Sequence, residues 1–229
     1  MLLNPTGGLV GGDHLRTEVT VRDGAHCCLT TPSPTKVYRT SGPAAVQEFS
    51  ACLGQGAVLE YLPDHLILSP GAALRQSVSV DLAPESLLLL VDAFSVGRVA
   101  RGERWEFREM VNSVTVQYKG EPLLMDRIRL SPRERSRDLL RGMEDFNYVA
   151  TLSVLSDRPV RWELLADLLV KRLEECPSVQ GGVSLLSRHG LLIRLLTVTA
   201  YHLQEAIRHL WAAARGSLLG LPPINLRKF

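Results

Sequence analysis

The chain has 229 residues, of which 45% are hydrophobic and 22% are charged, and its formal net charge is +2. This composition is typical of a globular protein with one large domain or two small ones. A charge this close to zero creates no strong field toward nucleic acid or a membrane surface, so we expect neither as a partner.

The cysteines and the first residues indicate the compartment. The four cysteines are Cys27, Cys28, Cys52 and Cys176, and none of them forms a Cys-x-x-Cys pair. This pattern predicts reduced thiols rather than a disulfide framework. Met1 leads directly into a loop rich in glycine, so we expect no signal peptide. The longest apolar run, residues 87–91, is too short to cross a bilayer, and the expectation is a cytoplasmic protein.

Residues 4–13 contain four glycines in two pairs and end at Asp13. Paired glycines allow backbone conformations that a Cβ atom forbids, so this segment predicts a tight loop that fixes the position of Asp13. Two interpretations remain open. Asp13 bonds to backbone groups of its own turn, or the loop presents it to a ligand or ion. No Lys-Ser or Lys-Thr follows the glycines, so nucleotide binding is not predicted.

Residues 15–130 show a hydrophobic period of two, which predicts β-strands. The predicted strands lie at residues 15–21, 26–31, 46–53, 57–62, 74–82, 87–93, 105–118 and 123–130. The turn residues 22–25 and 54–56 predict two hairpins, and the run 87–93, apolar on both faces, predicts a central strand. Strands separated by turns about ten residues apart predict an antiparallel sandwich, a barrel or a solenoid. No repeat of fixed period is visible.

The pattern changes after Tyr148. Residues 149–155, 183–186 and 191–196 predict strands, and residues 162–175 and 201–215 predict amphipathic helices. We expect a β-rich scaffold over residues 1–147 and a β-α-β-β-α subdomain over residues 148–229, or one compact unit. Six arginines between residues 127 and 141 predict either a solvated connection or a docking surface for an acidic partner.

Catalytic patterns are not visible. The six histidines form no His-Glu-x-x-His motif, and no nucleophile elbow is present. His202 and His209 would lie roughly 10 Å apart along a helix, too far to share one metal ion. His26 and Cys28 share one face of a predicted strand and could both ligate a transition metal, but two ligands make an incomplete site. We therefore expect no enzyme.

Carboxylates recur near the ends of the predicted strands. These acids are Asp13, Glu60, Asp92 and Asp126. An acid beside an apolar strand destabilises the fold unless it is paired or hydrated, so structural ion pairs are one interpretation. The other is a wet cavity that suits the passage of a cation, because hard divalent cations prefer oxygen ligands and nickel accepts oxygen and imidazole.

Several motifs together resemble the urease accessory protein UreD family, also called UreH. They are the glycine segment 4–13, TTPSPTKVYR at 30–39, LEYLP at 59–63, PLLMDR at 122–127, GGVS at 181–184 and the end of the chain, 211–223. They occur in the family's order over nearly the whole chain, which makes the resemblance specific. Tyr61 stands where the family commonly has Trp. Family members usually carry early strands before the glycine motif, so the resemblance implies a chain without that segment and with an open sheet edge.

The resemblance implies a fold and a function. The fold is mainly β, an antiparallel, β-helix-like, two-layer scaffold followed by a small α+β part. The function is that of a non-catalytic scaffold that binds apo-urease, UreF and the GTPase UreG, as a dimer within that complex, and passes nickel to the urease active site. No tightly bound cofactor is expected, because nickel is in transit and GTP binds UreG.

The resemblance also suggests site residues. Positions that match acidic or polar family motifs, and are candidates for a nickel passage, are Asp13, Thr35, Glu60, Asp92 and Asp126. Lys36, Tyr38 and Arg39 match the second motif and are expected to hold the loops together by charge-assisted hydrogen bonds. Two alternatives stay open: a β-rich hydrolase that uses Asp92 and Asp126 as paired carboxylates, and a structural β protein whose acids are all salt-bridged.

Overall fold

The computed structural model describes residues 1–132, 143 and 145–226. The elements in chain order are β1 (His14–Val21), β2 (His26–Thr30), β3 (Thr35–Val37), β4 (Ala45–Leu53), β5 (Val58–Leu62), β6 (Leu66–Leu68), β7 (Ala73–Leu82), β8 (Leu87–Ser95), β9 (Glu109–Tyr118), β10 (Glu121–Leu130), β11 (Tyr148–Ser156), α1 (Trp162–Glu174), β12 (Val179–Leu185), β13 (Gly190–Thr197) and α2 (Ala200–Leu219). Most of the arginine-rich stretch lies outside the described residues, so its role stays a prediction.

The strands alternate between two sheets. One sheet has the order β1-β4-β7-β9-β10, and the other has the order β12-β13-β11-β8-β5-β2, with β6 beside β8 and β3 beside β6. Strands β1, β4, β7 and β9 are parallel, as are β2, β5 and β8. Each pass of the chain through both sheets, here called a rung, therefore adds one strand to each layer. The prediction of a mainly β, solenoid-like, two-layer scaffold is confirmed.

The two predicted hairpins are wrong. Residues 22–25 and 54–56 carry the chain from one sheet to the other, so β1 pairs with β4 rather than β2, and β4 pairs with β1 and β7 rather than β5. The alternation of apolar residues does not distinguish a hairpin from a rung, because a strand buries one face in either arrangement. Among the strands of the described residues, antiparallel pairing joins β9 to β10 and runs along β8-β11-β13-β12.

Unequal rungs explain why no fixed repeat is visible in the sequence. In the five-stranded sheet His14 lies beside Val46, Val46 beside Arg75, and Arg75 beside Val111. The residue spacing between neighbours therefore differs from rung to rung. The strands stay in register while the connections vary in length, which hides the repeat from a search for a single period.

The C-terminal part follows the predicted β-α-β-β-α order. Strand β11 pairs with β8 on one side and with β13 on the other, so one sheet runs through the scaffold and this part. Helix α2 begins after Thr199, whose Oγ1 accepts a hydrogen bond from His202 N at 3.2 Å, and it ends at Gly220, where φ is 64°. No helix among the described residues is long and apolar enough to cross a membrane.

The buried side chains form three clusters on the two sides of β8. Leu87, Leu89 and Val91 pack toward the helices, in a cluster that also holds Trp211 of α2. The alternate residues of β8 face the five-stranded sheet and divide between two clusters there. Strand β8 is thus buried on both faces between β5 and β11, which confirms the prediction of a central strand. Asp92 stands between the two clusters that lie between the sheets.

Candidate functional site

Asp92 connects the two sheets through hydrogen bonds. Side-chain alternation along β8 places it on the same face as Leu88 and Leu90, which pack between the sheets. Its Oδ1 accepts a hydrogen bond from Gln76 Nε2 at 2.9 Å, and its Oδ2 accepts one from Asn112 Nδ2. These donors lie on β7 and β9 of the opposite sheet. In the described part of the chain, no basic side chain forms an ion pair with Asp92.

A polar layer lies around Asp92. Gln47, Gln76 and Asn112 are direct register neighbours on β4, β7 and β9. With Asp92 they define the polar layer, which separates the two apolar clusters between the sheets. Gln47 Oε1 and Asn112 Oδ1 are buried and have no hydrogen-bond partner among the described residues. The layer therefore offers one carboxylate and two carbonyl oxygens, the donor type that a hard cation or a water molecule requires.

A small cavity adjoins the polar layer. Its volume is about 30 Å³, which has room for a water molecule. The polar side chains in its wall include Thr31, Thr35, Gln47, Asp64, Gln76 and Asp92. Pro63 and Asp64 also line a larger groove of about 570 Å³ between residues 62–65, helix α2 and residues 223–226. Pro63 and Asp64 thus stand between the cavity beside Asp92 and a groove on the surface.

The surroundings of Asp92 favour its neutral form. Burial raises the pKa of Asp92 to about 6, while the hydrogen bonds from Asn112 and Gln76 lower it and the charge of Asp126 adds to the rise. Burial and the charge of Asp92 also raise the pKa of Tyr61. A carboxyl group whose pKa is raised in this way, beside a cavity, is a candidate functional group.

Asp126 and Arg194 form an ion pair between β10 and β13, outside the register row of the polar layer, because the β10 neighbour of Asn112 is Ile128 and Asp126 lies beside Val114. Asp126 faces the space between the sheets from β10, and Arg194 Nη2 donates to its Oδ1 at 2.6 Å. The Asp126 side chain is 15% exposed and the Arg194 side chain 55%. In the register of the eight-stranded sheet, Asp92 lies beside Thr151, and Thr151 lies beside Arg194. Arg194 thus lies two strands away from Asp92, and the charge of Asp126 is near enough to contribute to the raised pKa of Asp92.

Glu60 lies on the other face of the eight-stranded sheet, toward α2, and is fully buried. Its Oε1 contacts His26 Nε2 at 2.6 Å and accepts a hydrogen bond from Arg215 Nη1, and its Oε2 accepts one from Trp211 Nε1 at 2.5 Å. Arg215 also donates from Nε to Pro222 O at 2.8 Å. Glu60 thus holds the helix and the tail against the scaffold. It also contacts His26 Nε2, which leaves only Nδ1 of that ring for the metal binding with Cys28 that the sequence suggested.

Asp13 closes the glycine loop. Val10 N donates to Asp13 Oδ2 at 2.9 Å, and Asp13 N donates to Val10 O at 3.1 Å. This is the turn-bonding arrangement, one of the two interpretations that the sequence left open. Asp13 does not line the cavity beside Asp92.

Residues 36–38 hold the glycine loop through their backbone. Lys36 O accepts from Leu9 N at 2.8 Å, and Tyr38 N donates to Leu9 O at 2.8 Å. A Cβ atom at Gly8 would lie 2.6 Å from Lys36 O and 2.7 Å from the Tyr38 ring, so only glycine fits there. The side chains of Lys36 and Arg39 make no hydrogen bond to any described residue. The predicted charge-assisted hydrogen bonds are therefore replaced by backbone bonds.

Several residues of these sites were not singled out from the sequence. They are Gln47, Gln76, Asn112, Arg194, Trp211 and Arg215. A signal for the first three was present, because each is an amide at an inward-facing position of an otherwise apolar alternating strand. The partners of Glu60 gave no local signal, since Trp211 and Arg215 lie on a helix at the far end of the chain.

The fold and the site define a β-helix-like scaffold protein with a polar layer between its sheets. The model of the UreD urease accessory protein family matches residues 1–228. The chain is similar to the urease accessory protein UreD of Cupriavidus necator, with 32% identity over 231 residues, 99% of this chain and 79% of that relative. The corresponding values for UreD of Anaeromyxobacter sp. are 38% over 191 residues, 82% and 64%, and for UreD of Mycolicibacterium gilvum 33% over 217 residues, 94% and 78%. The chain belongs to the UreD family of urease accessory proteins, which confirms the resemblance.

Proposed function

We propose that this protein is a non-catalytic scaffold for nickel insertion into urease and that nickel moves through the polar layer between its sheets. Membership in the urease accessory family supports a role in urease maturation. The observation that supports the route is Asp92, which accepts hydrogen bonds from two amides and lines a cavity, in a layer that also holds two unpartnered carbonyl oxygens. A purely structural acid would be expected to face a basic partner, as Glu60 faces Arg215.

The donor set suits a transported ion better than a stored one. Nickel(II) accepts carboxylate and amide oxygens, but tight capture requires several anionic or imidazole ligands. A single carboxylate with carbonyl oxygens binds weakly enough for the ion to leave. The raised pKa of Asp92 adds to this effect, because the proton competes with the ion for the same oxygens.

The candidate residues divide into two groups in this proposal. Thr35, Asp92 and Asp126 line or border the route of the ion. The remaining candidates, Asp13, Lys36, Tyr38, Arg39 and Glu60, hold the walls of the scaffold in place. The protein has no resident cofactor, works in the cytoplasm as a dimer with UreF, UreG and apo-urease, and leaves GTP binding to UreG.

Co-expression with the urease structural subunits, UreF and UreG tests the proposal. We expect Asp92→Ala to co-purify with these partners as the unsubstituted protein does, but to give urease with less nickel and lower activity at limiting nickel. The matched control is Asp81→Ala, because Asp81 lies on the exposed outer face of β7. Equal activation by the two variants would refute the route, and fully loaded urease in the absence of this protein would refute the role.

A further inference from the structure

Strand β1 is an edge strand, and its outer side has no partner among the described residues. In the five-stranded sheet it pairs with β4, and no described residue makes a backbone hydrogen bond to its other side. Val46 N donates to Asp13 O at 2.8 Å, and Gly54 N donates to Val21 O at 2.8 Å. The odd-numbered residues of β1 therefore direct their backbone groups toward β4. The residues whose N–H and C=O groups point away from the sheet are His14, Arg16, Glu18 and Thr20, and a further strand can bind to this row.

The inward face of β1 is covered incompletely. Leu15, Thr17 and Val19 point into the space between the sheets, yet each remains partly exposed. Phe49 and Ala51, which lie beside Thr17 and Val19 on β4, are buried. The two strands differ because β4 has a neighbour on each side and β1 has a neighbour on one side. A further strand beside β1 would cover apolar surface that is now in contact with water.

The same end of the fold exposes apolar side chains of the first residues. Leu2 N donates to Thr30 O at 2.8 Å, which places residues 1–3 beside β2, an edge strand of the other sheet. Met1 is 54% exposed and Leu3 is 75% exposed. The two sheet edges thus present apolar surface together, which is typical of an interaction site.

The opposite edge of the same sheet carries features that prevent strand pairing. Strand β10 contains Pro122, and its register with β9 shifts between Pro122 and Leu124. Asp126 on the same strand is a charge that points toward the space between the sheets. Proline, irregular register and inward-pointing charge are means by which natural proteins protect edge strands. Strand β1 has no proline, and its register with β4 is uninterrupted from His14 to Val21, so its free edge is suited to pairing.

We propose that β1 pairs with β1 of a second copy of this chain, in an antiparallel arrangement centred on Thr17, and so joins the two five-stranded sheets. In this register Arg16 lies opposite the partner's Glu18, and Glu18 lies opposite the partner's Arg16. Both charges are available, because Arg16 and Glu18 are 65% and 64% exposed. On the inward face, Leu15 lies opposite the partner's Val19. This contact provides a surface for the dimer of the proposed function, and it does not depend on the nickel route.

The charges and the hydrogen bonds select this register among the alternatives. A pair centred on Arg16 would place two arginines opposite each other, and a pair centred on Glu18 would place two carboxylates opposite each other, which is unfavourable. A shift that pairs odd-numbered with even-numbered residues would turn the inward face of one strand toward solvent. In the register centred on Thr17, the residues with outward backbone groups lie opposite one another, which allows about eight hydrogen bonds between the two copies. The same patch is thus complementary to itself, as a twofold interface requires.

The mass of the purified full chain, measured by analytical ultracentrifugation over a range of protein concentrations, tests the pairing. We expect a dimer in equilibrium with a monomer. Glu18→Arg should raise the dissociation constant about tenfold, because it places two pairs of like charges across the interface. Arg16→Glu should have the same effect, and the double variant Arg16→Glu/Glu18→Arg should restore the dimer, because opposite charges again face each other. The matched control is Glu121→Arg, which makes the same charge change at an exposed residue of β10 and should leave the constant unchanged.

A cross-link tests the register. Thr17 would lie opposite the partner's Thr17 at a position without hydrogen bonds between the two strands, where Cβ atoms are about 4.5–5.5 Å apart. Thr17→Cys should therefore give a dimer linked by a disulfide when diamide oxidises the two thiols. Val19→Cys is the control, because the two residues at position 19 would lie roughly 13 Å apart along the strands. It should give no more linked dimer than the unsubstituted chain does.

A chain that is monomeric at every concentration would overturn the proposal, and so would a dimer that Glu18→Arg does not weaken or that Glu121→Arg weakens equally. A monomer whose binding to UreF is weakened by Glu18→Arg would assign the edge to a strand of another protein and would also overturn pairing with a second copy. If Glu18→Arg does not fold, as judged by urea unfolding, Arg16→Glu and the double variant carry the test. Asp92→Ala should dimerise as the unsubstituted chain does, so failure of the nickel route and failure of this pairing are seen in different assays.

Discussion

Replacement of Asp92 by Asn should stabilise the protein at neutral pH. Burial raises the pKa of Asp92 from 3.8 to about 6, and one pKa unit corresponds to about 1.36 kcal/mol, so ionised Asp92 opposes folding by about 3 kcal/mol. The hydrogen bonds from Gln76 and Asn112 are already included in that pKa, but an Asn side chain offers these two donors only one acceptor oxygen, so one donor loses its partner. We therefore expect a net gain of about 1–2 kcal/mol in the free energy of unfolding at about pH 7.5.

The pH dependence follows from the direction of the pKa change. Because the pKa of Asp92 is higher in the folded protein than in the unfolded chain, folding is favoured by the bound proton at low pH. That contribution is fully present below about pH 4 and is lost as the pH rises through about 6. The difference between Asp92→Asn and the unsubstituted protein should therefore be small near pH 4 and reach its full size above pH 6.

Urea unfolding of both proteins at about pH 4, 5 and 7.5 measures this difference. Asp81→Asn is the control, since Asp81 is exposed on the outer face of β7 and should show no comparable gain. The contributions of the other titrating groups to the free energy of unfolding cancel in the comparison, because these groups are the same in each protein. An Asp92→Asn variant that is no more stable at pH 7.5, or a gain that does not depend on pH, would refute the assignment of Asp92 as a buried, electrostatically strained acid.

Three further substitutions test the packing of the scaffold by urea unfolding. Arg215→Ala should lower the free energy of unfolding by about 3–5 kcal/mol, because it leaves the fully buried Glu60 without its cation. Gly8→Ala should destabilise the protein by about 1–3 kcal/mol, because the new Cβ would overlap Lys36 O and the Tyr38 ring. Gly216→Ala should stabilise it by roughly 0.5–1 kcal/mol, because Gly216 lies within helix α2 and no atom lies within 4 Å of its Cβ position.

Each of these expectations has a contrary outcome. If the double variant Glu60→Gln/Arg215→Met were as unstable as Arg215→Ala, the loss would come from packing and not from an unpaired charge. If Gly8→Ala and Gly216→Ala changed the free energy of unfolding equally, the close approach of the Tyr38 ring would not be what requires glycine at position 8.

The sequence predicted the strands well and their pairing poorly. Alternation along residues 74–82 shows which face is buried, and this is the same whether the partner strand is the next in sequence or belongs to the next rung. A turn such as residues 54–56 can close a hairpin or carry the chain across a sandwich. Pairing in parallel rungs is a non-local property, which a single sequence with rungs of unequal length does not reveal.

The residues of the site could be predicted where the signal came from their neighbours in the sequence. Asp92 was noticeable because it follows the apolar run 87–91 near the end of a predicted strand, and its position next to a cavity fits that signal. Glu60 gave the same local signal, yet it lies on the opposite face with Arg215, which is 155 residues away in the chain. Whether a buried acid has a basic partner, as Glu60 does, or only amide donors, as Asp92 does, depends on such distant contacts. Sequence motifs alone therefore grouped two acids with different surroundings.

The register of the polar layer sets how its length can change. Each of three successive strands contributes one side chain to it: Gln47 from β4, Gln76 from β7 and Asn112 from β9. Neighbouring strands lie about 4.8 Å apart, so the distance over which polar groups extend grows in steps of one strand. Insertions in the connecting turns leave this distance unchanged, whereas an added rung lengthens it by one step and supplies one more side chain. The reach and the chemistry of the layer can therefore be altered independently, one strand at a time.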